Sequence, residues 1–315
     1  MDSNEALHAG IVGAGGIAPP HIEGWLALGA EIAILRRTGA QELAEQHGIR
    51  VVDDLDELTE WSSIVDIVSP TTTHLDVARR AFARGRHVVC EKPLAVTTAD
   101  AVMLAQEASD AGVRLFPAHV VRYFEGYQRM KEGLGSIGTL LELTFRRTVA
   151  APDSAWFYAE DAGGGLIRDL MIHDLDQALW LAGPVAEVSA TQDPPAVNGQ
   201  VMPPVSAYAT LTHANGAVSH LHADWFGPET VFRSEASVVG VHGELRFDTA
   251  GSGEAREGYL PPASDIDPYR AQLADFVDAI RTGRDARVTP EDGIAAVRLV
   301  DAAYESLRTG RPVLL

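Results

Sequence analysis

Asp169, His173 and Asp176 stand at i, i+4 and i+7, so a helix carries all three on one face. A carboxylate one turn before an imidazole can orient the ring and favour its protonated form, which is the wiring of an acid/base catalyst. The competing reading is a capped amphipathic helix with a chance histidine. Gly163, Gly164 and Gly165 precede the stretch and predict a loop able to approach a ligand closely. Leu170, Met171, Ile172, Leu175, Ala178 and Leu179 fill much of the rest, as in a helix packed into a core.

A second group of residues points to a dinucleotide. Gly13-x-Gly15-x-x-Ala18 follows an apolar run and opens a helical one. The first glycine permits a tight turn, the second lets backbone N–H groups approach a pyrophosphate, and the small third residue allows close helix–strand packing. The helix N-terminus, with Ile17 at its start, supplies positive potential. Many NAD-binding units end the second strand on an acid that takes the ribose 2′-hydroxyl. Here Arg36 and Arg37 stand there, and arginines can hold a 2′-phosphate instead, so NADP is favoured over NAD. Glu91-Lys92-Pro93 falls at the carboxyl end of a strand, where open α/β sheets bind ligands, and Lys92 there can hydrogen-bond a substrate hydroxyl or carbonyl.

These residues need a scaffold, and the apolar pattern supplies one. Strands are expected at 6–12, 31–35, 51–52, 64–68, 87–90 and 113–116, with helices from 18 to about 28 and at 40–47, 74–84 and 98–111. That alternation means βαβ units and a parallel sheet. From about residue 120 the pattern becomes strands with short links: 140–148, 187–191, 206–212, 218–225, 234–241 and 244–247, with Asn215-Gly216 as a hairpin turn. Residues 193–204 and 249–268 read as loops, and helices at about 269–282 and 290–308 close the chain. The expectation is an α/β Rossmann domain over 1–119, then an α+β domain over 120–315 with a large, mainly antiparallel open sheet. The closing helices are able to pack back on the first domain.

Composition narrows the partners. Basic residues number 25 against 44 acidic ones, a formal net charge of −19, which argues against nucleic acid and anionic membrane. The single cysteine, Cys90, excludes an intrachain disulfide and any multi-cysteine metal site, and it suits a reducing, cytoplasmic compartment. Cys90 reads as strand packing rather than a nucleophile. His220-x-His222 with Asp224 shares a strand face, but it lacks an evident third ligand, so no metal is expected. Asp53-Asp54-x-Asp56-Glu57 reads as a solvated helix start capped by Asp54 or Asp53 rather than a Ca²⁺ loop. Trp156-Phe157-Tyr158 could floor a sugar site or belong to the core.

Taken in order, Gly13-x-Gly15-x-x-Ala18, Ser69-Pro70-Thr71-x-x-His74, Glu91-Lys92-Pro93 and Gly163-Gly164-Gly165…Asp169-x-x-x-His173-x-x-Asp176 resemble the glucose–fructose oxidoreductase, inositol dehydrogenase and rhizopine catabolism family, Gfo/Idh/MocA. His119-Val120-Val121-Arg122-Tyr123, Trp156 and Thr309-Gly310-Arg311-Pro312-Val313 extend the resemblance over nearly the whole chain. The resemblance implies a bound NAD(H) or NADP(H) and hydride transfer at a carbon of a sugar, polyol or related carbohydrate. It implies Lys92, Asp169 and His173 as catalytic residues, converging where the nicotinamide ends, with Asp176 anchoring the helix. It places Gly13, Gly15, Ile17, Ala18, Arg36, Arg37, Ser69, Pro70, Thr71, His74 and Glu91 on the cofactor, and Lys92, Arg122, Trp156, Asp169 and His173 on the substrate. The broad sheet expected in the second domain favours self-association, as a homodimer or homotetramer. Met171 and Thr71 depart from the pattern, where many members carry Gly and Asn. A redox-assisted lyase or glycosidase with tightly held NAD, and a non-catalytic dinucleotide-sensing regulator, are the alternatives on the same fold.

Overall fold

The computed structural model describes residues 6–249 and 267–315. The chain forms two compact units, and each is a discontinuous piece of sequence. The first ends at Tyr123 but takes in a later stretch that closes at Ile294; the second starts at Phe124 and includes Ala295–Leu315.

In the first unit, β1 (His8–Val12), α1 (Ala18–Ala27), β2 (Glu31–Leu35), α2 (Ala40–His47), β3 (Arg50–Val52), α3 (Leu55–Trp61), β4 (Ile64–Ile67), α4 (His74–Ala83), β5 (His87–Glu91), α5 (Thr98–Asp110) and β6 (Leu115–Ala118) alternate along the chain. The six strands are all parallel in the order β3-β2-β1-β4-β5-β6. Apart from short β3, the strands are almost wholly apolar and buried, because a parallel sheet is covered on both faces. The order reverses beside β1, so the loops after β1, β4 and β5 share the carboxyl edge at the switch point. Local chemistry sets the helix starts. Asp54 caps α3 by accepting from Asp56 N, and Thr97 caps α5 by accepting from Asp100 N.

In the second unit come α6 (Glu125–Ile137), β7 (Leu140–Ala150), α7 (Ile172–Ala182), β8 (Val185–Asp193), β9 (Val205–His213), β10 (Val218–Phe226), β11 (Arg233–Gly240) and β12 (Gly243–Asp248). Then α8 (Pro268–Thr282) returns to the first unit, α9 (Pro290–Thr309) follows, and β13 (Val313–Leu314) ends the chain. The sheet order is β12-β11-β7-β10-β9-β8-β13, antiparallel at every pairing except β7 with β10. Strand residues alternate: on β7, Leu143, Phe145 and Arg147 are buried while Glu142, Thr144 and Arg146 are exposed. The Asn215-Gly216 turn joins β9 to β10, with Asn215 Oδ1 accepting from Ala217 N and Gly216 at φ 89°. Arg147 of β7 and Asp174 of α7 form a fully buried ion pair, Nη2 to Oδ1 2.7 Å, that ties α7 to the sheet.

The helix expected at 269–282 is α8, and its apolar face completes the core of the first unit. Leu273, Phe276, Val277 and Ala279 join Ile11, Ile22 and Trp25 there. Phe276 stacks on Phe116 with centroids 4.7 Å apart, and Asp275 accepts from Tyr123 Oη at 2.6 Å. Most of the loop expected at 249–268 lies outside the described residues.

Candidate functional site

The cradle after β1 is built by glycines that do different jobs. Gly13 sits at φ +124°, and a Cβ there would lie 2.5 Å from the Val68 carbonyl oxygen, so only glycine lets the loop pass the end of β4 this closely. Gly15 and Gly16 are exposed, with nothing within 4 Å of where a Cβ would stand. Ile17 stands just before α1 and offers no side-chain cap, and buried Ala18 donates its N–H to Gly15 O at 3.0 Å. Open space, exposed glycine backbone and the positive end of a ten-residue helix fit a pyrophosphate. At the end of β2, Arg36 and Arg37 are both exposed; Arg36 ion-pairs through Nε with Asp53, and Arg37 Nη1 donates to Arg36 O at 3.0 Å. Sequence reasoning had assigned Asp53 only to the helix start.

The loops after β4 and β5 are stitched together. His74 is buried; its Nε2 lies 2.9 Å from Ser69 O and its Nδ1 3.0 Å from Pro93 O. Burial lowers its pKa, and the neutral ring donates from one nitrogen only. Both ring nitrogens of His74, a residue expected on the cofactor, face backbone carbonyls. Ser69 Oγ and Thr73 Oγ1 are 2.6 Å apart, Pro70 is exposed and Thr71 is buried. The Lys92–Pro93 peptide is cis, and Lys92 is half-buried. Glu91, expected on the cofactor, has both oxygens engaged: Oε1 with His21 and Oε2 with Lys92 N at 2.9 Å. Burial would push Glu91 up, but the His21 hydrogen bond and charge, then Lys92, outweigh it and hold the carboxyl below its usual range. The sequence reading missed His21, Trp25 and Asp66, which surround this carboxylate network. A histidine in the first turn of α1 and an aspartate inside an apolar strand were the available signals.

Arg122 is held by its own unit. Expected on the substrate, it is 2% exposed, with Nη2 3.0 Å from Asp292 Oδ1 and Nη1 donating to Arg287 O at 3.2 Å. A buried guanidinium must be paired, and Asp292 pairs it.

In the second unit, Gly164 and Gly165 pack closely against their own chain. A Cβ on Gly164 would lie 2.3 Å from Phe157 O, and one on Gly165 2.3 Å from Tyr304 Oη. Gly165 N donates to Phe157 O at 2.7 Å, which docks the loop on the Trp156-Phe157-Tyr158 segment, where Trp156 and Phe157 stack at 3.8 Å. Arg168 secures the arrangement through Nη1 to Glu160 O at 2.7 Å and a cation–π contact with Tyr304 at 4.7 Å. Ile167–Met171 is a π-turn that runs into α7. Single π-turns inside helices are frequent at functional sites. The wider turn presents Asp169 half-exposed and is followed by buried His173, at 2% exposure. Asp176 is buried too, and Asp174 rather than Asp176 makes the ion pair to the sheet. His222 Nε2 lies 2.8 Å from Asp224 Oδ1, and Asp224 also accepts from Ser206 and Thr148, so its oxygens are already engaged.

Comparison with known proteins places this arrangement. Residues 7–119 match the model of the oxidoreductase family with an NAD-binding Rossmann fold, and residues 127–246 match the GFO/IDH/MocA C-terminal domain. The chain belongs to the Gfo/Idh/MocA oxidoreductase family. Among curated relatives, this Gfo/Idh/MocA protein is 26% identical to D-xylose 1-dehydrogenase (NADP(+)) 2 of Haloferax volcanii, over 97% of this chain and 99% of that one. It is 26% identical to myo-inositol 2-dehydrogenase of Thermotoga maritima, over 98% of each. Among solved structures, GenD2 from gentamicin A biosynthesis in complex with NAD superposes with a TM-score of 0.88 at 26% identity, covering 99% of this chain and 97% of that one. No helix among the described residues is long and apolar enough to cross a membrane.

Proposed function

We propose that the chain transfers hydride between NADP(H) or NAD(H) and a carbinol carbon of a sugar or polyol. The observation that carries this reading is the open Gly15–Gly16 cradle at the start of α1, on the same sheet edge as Lys92. Relatives that match it end to end are named as xylose and inositol dehydrogenases, which supports the substrate class.

The residues divide the work as follows. The N–H groups around Gly15 and the start of α1 would hold the pyrophosphate. When bound, the dinucleotide supplies the hydride acceptor or donor. In oxidation the His173 imidazole takes the hydroxyl proton, and Asp169, one turn earlier, orients the ring. The Lys92 ammonium stabilises the negative charge that develops on the same oxygen. In reduction the proton travels back from His173. Trp156 lines the sugar. NADP(H) is favoured because Arg37 has no carboxylate within ion-pair distance among the described residues, whereas Arg36 is shared with Asp53. The broad seven-stranded sheet of the second unit supports self-association as a homodimer or homotetramer, and the reaction takes place in the cytoplasm.

The test is a panel of D-xylose, myo-inositol and related sugars with each dinucleotide, followed by nicotinamide absorbance. Turnover of at least one sugar is expected. Failure of the protein to bind either dinucleotide in a calorimetric titration would overturn the reading.

A further inference from the structure

We propose that His21 is a positioning residue for Lys92: an imidazolium held between two buried carboxylates that braces the Glu91-Lys92-Pro93 turn against α1. Its Nδ1 is 2.7 Å from Asp66 Oδ2, and its Nε2 is 3.1 Å from Glu91 Oε1. Carboxylates only accept hydrogen bonds, so both ring nitrogens must donate, which requires the doubly protonated ring. Trp25 Nε1 donates to the same Asp66 oxygen at 2.7 Å. Glu91 Oε2 accepts the Lys92 backbone N–H at 2.9 Å. One connected series therefore runs Trp25, Asp66, His21, Glu91, Lys92, from α1 through β4 to β5. His21, Asp66 and Trp25 are fully buried, so water does not loosen these bonds.

The surrounding charges agree with this protonation state. Burial alone would lower the His21 pKa; the charge and hydrogen bond of Asp66, with those of Glu91, raise it to about 10. From α8, the Tyr269 ring faces His21 at 5.5 Å. Cys90, beside both carboxylates, is driven up by burial and by their charges, and His74 on α4 feels the charge of Glu91. Those neighbours carry no positive charge that would expel a proton from His21. Because α1 opens at the Gly15 cradle, the brace fixes the lysine turn to the element that begins the dinucleotide site. The kinetic consequence rests on the dehydrogenase reading; the geometric one does not.

The sequence makes the test clean, because the chain has two lysines, Lys92 and Lys131. Reductive methylation with carbon-13 formaldehyde labels both side chains, and Lys131→Arg assigns the signals. In His21→Gln the amide leaves one buried carboxylate without its donor. The Lys92 signal should move and the Lys131 signal should stay, with the fold intact by circular dichroism. With a sugar found to turn over, kcat should fall about tenfold to a hundredfold, the size of a small misplacement of a reacting group, while dinucleotide affinity holds. In His21→Gln/Glu91→Gln two amides rebuild the bridge, and both readouts should return toward wild type. In Glu91→Gln, with the charged bridge to His21 weakened, the Lys92 signal should move as well. An unmoved Lys92 signal in folded His21→Gln overturns the proposal. If that variant does not fold, an unmoved Lys92 signal in Glu91→Gln overturns it. Absence of turnover with every sugar would sink the dehydrogenase reading and leave the labelling experiment to decide the brace.

Discussion

Replacing Gly13 and Gly15 should separate fold stability from dinucleotide binding. Alanine at position 13 would have to hold φ near +124°, where L residues are rarely found, at a cost of about 1–3 kcal/mol. Its methyl would also sit 2.5 Å from Val68 O and 2.6 Å from Val68 C. Those are backbone atoms at the end of β4 and cannot rotate away, so overpacking adds about 1–3 kcal/mol. Together the two effects make roughly 2–6 kcal/mol, which at roughly 2–4 °C per kcal/mol for a unit of this size is a loss of roughly 5–20 °C in Tm. At position 15 a Cβ meets nothing within 4 Å. Gly15→Val should therefore melt with the wild type, yet fill the space read as the phosphate cradle. Scanning calorimetry measures the first quantity, and titration calorimetry with NAD(H) and NADP(H) the second. The expected pattern is a destabilised Gly13→Ala and a stable Gly15→Val with no binding heat. Unchanged affinity in Gly15→Val would refute the cradle, and a wild-type Tm in Gly13→Ala would refute the close approach to Val68.

Other outcomes follow from the same geometry. His173→Ala should lower kcat by about 10²–10⁴, the range for a lost general acid/base, with dinucleotide affinity preserved; Lys92→Ala should behave similarly, and Asp169→Asn should also displace the pH–rate profile. Asp53→Asn releases Arg36, so the ratio of kcat/KM for NADP(H) over NAD(H) should rise, and Arg37→Ala should lower it. Against burial, Asp66 and Glu91 push His21 up to about 10 in the fold from the usual 6.5 of histidine, so its stabilisation is complete below 6.5 and drains as pH climbs toward 10. Thermal melts should therefore decline over that window in the wild type and less so in His21→Gln. Glu91, held low, adds stability that is lost on the acid side. Asp174→Asn leaves Arg147 buried without its carboxylate and should cost about 3–5 kcal/mol in denaturant unfolding.

The sheet strands and most helices were legible because their signals are local. Alternating apolar runs, the Asn215-Gly216 turn and the glycines of the first loop each constrain their own backbone. What escaped was long-range. Amphipathic spacing identifies α8 as a helix but does not say which core receives Leu273 and Phe276. The π-turn at Ile167–Met171 inserts its extra width without altering the apolar pattern that a regular helix would show. Residue type did not show that Arg122 is paired to Asp292, or that Gly164 and Gly165 make room for Phe157 and Tyr304. His21 looked like any polar residue on an amphipathic helix, since its partners lie 45 and 70 positions away.

The return of α8 to the first unit sets an order of events during synthesis. When the ribosome has released the chain as far as Tyr123, all six parallel strands are present, but α1 and Phe116 still lack their cover. Phe276, Leu273 and the carboxylate that receives Tyr123 Oη arrive only after more than a hundred further residues, those of the second sheet among them. The first half to emerge is thus held in an unfinished state while the second is made. A fragment cut at Tyr123 should expose apolar surface and aggregate, whereas one that adds α8 through a short linker should recover a closed core.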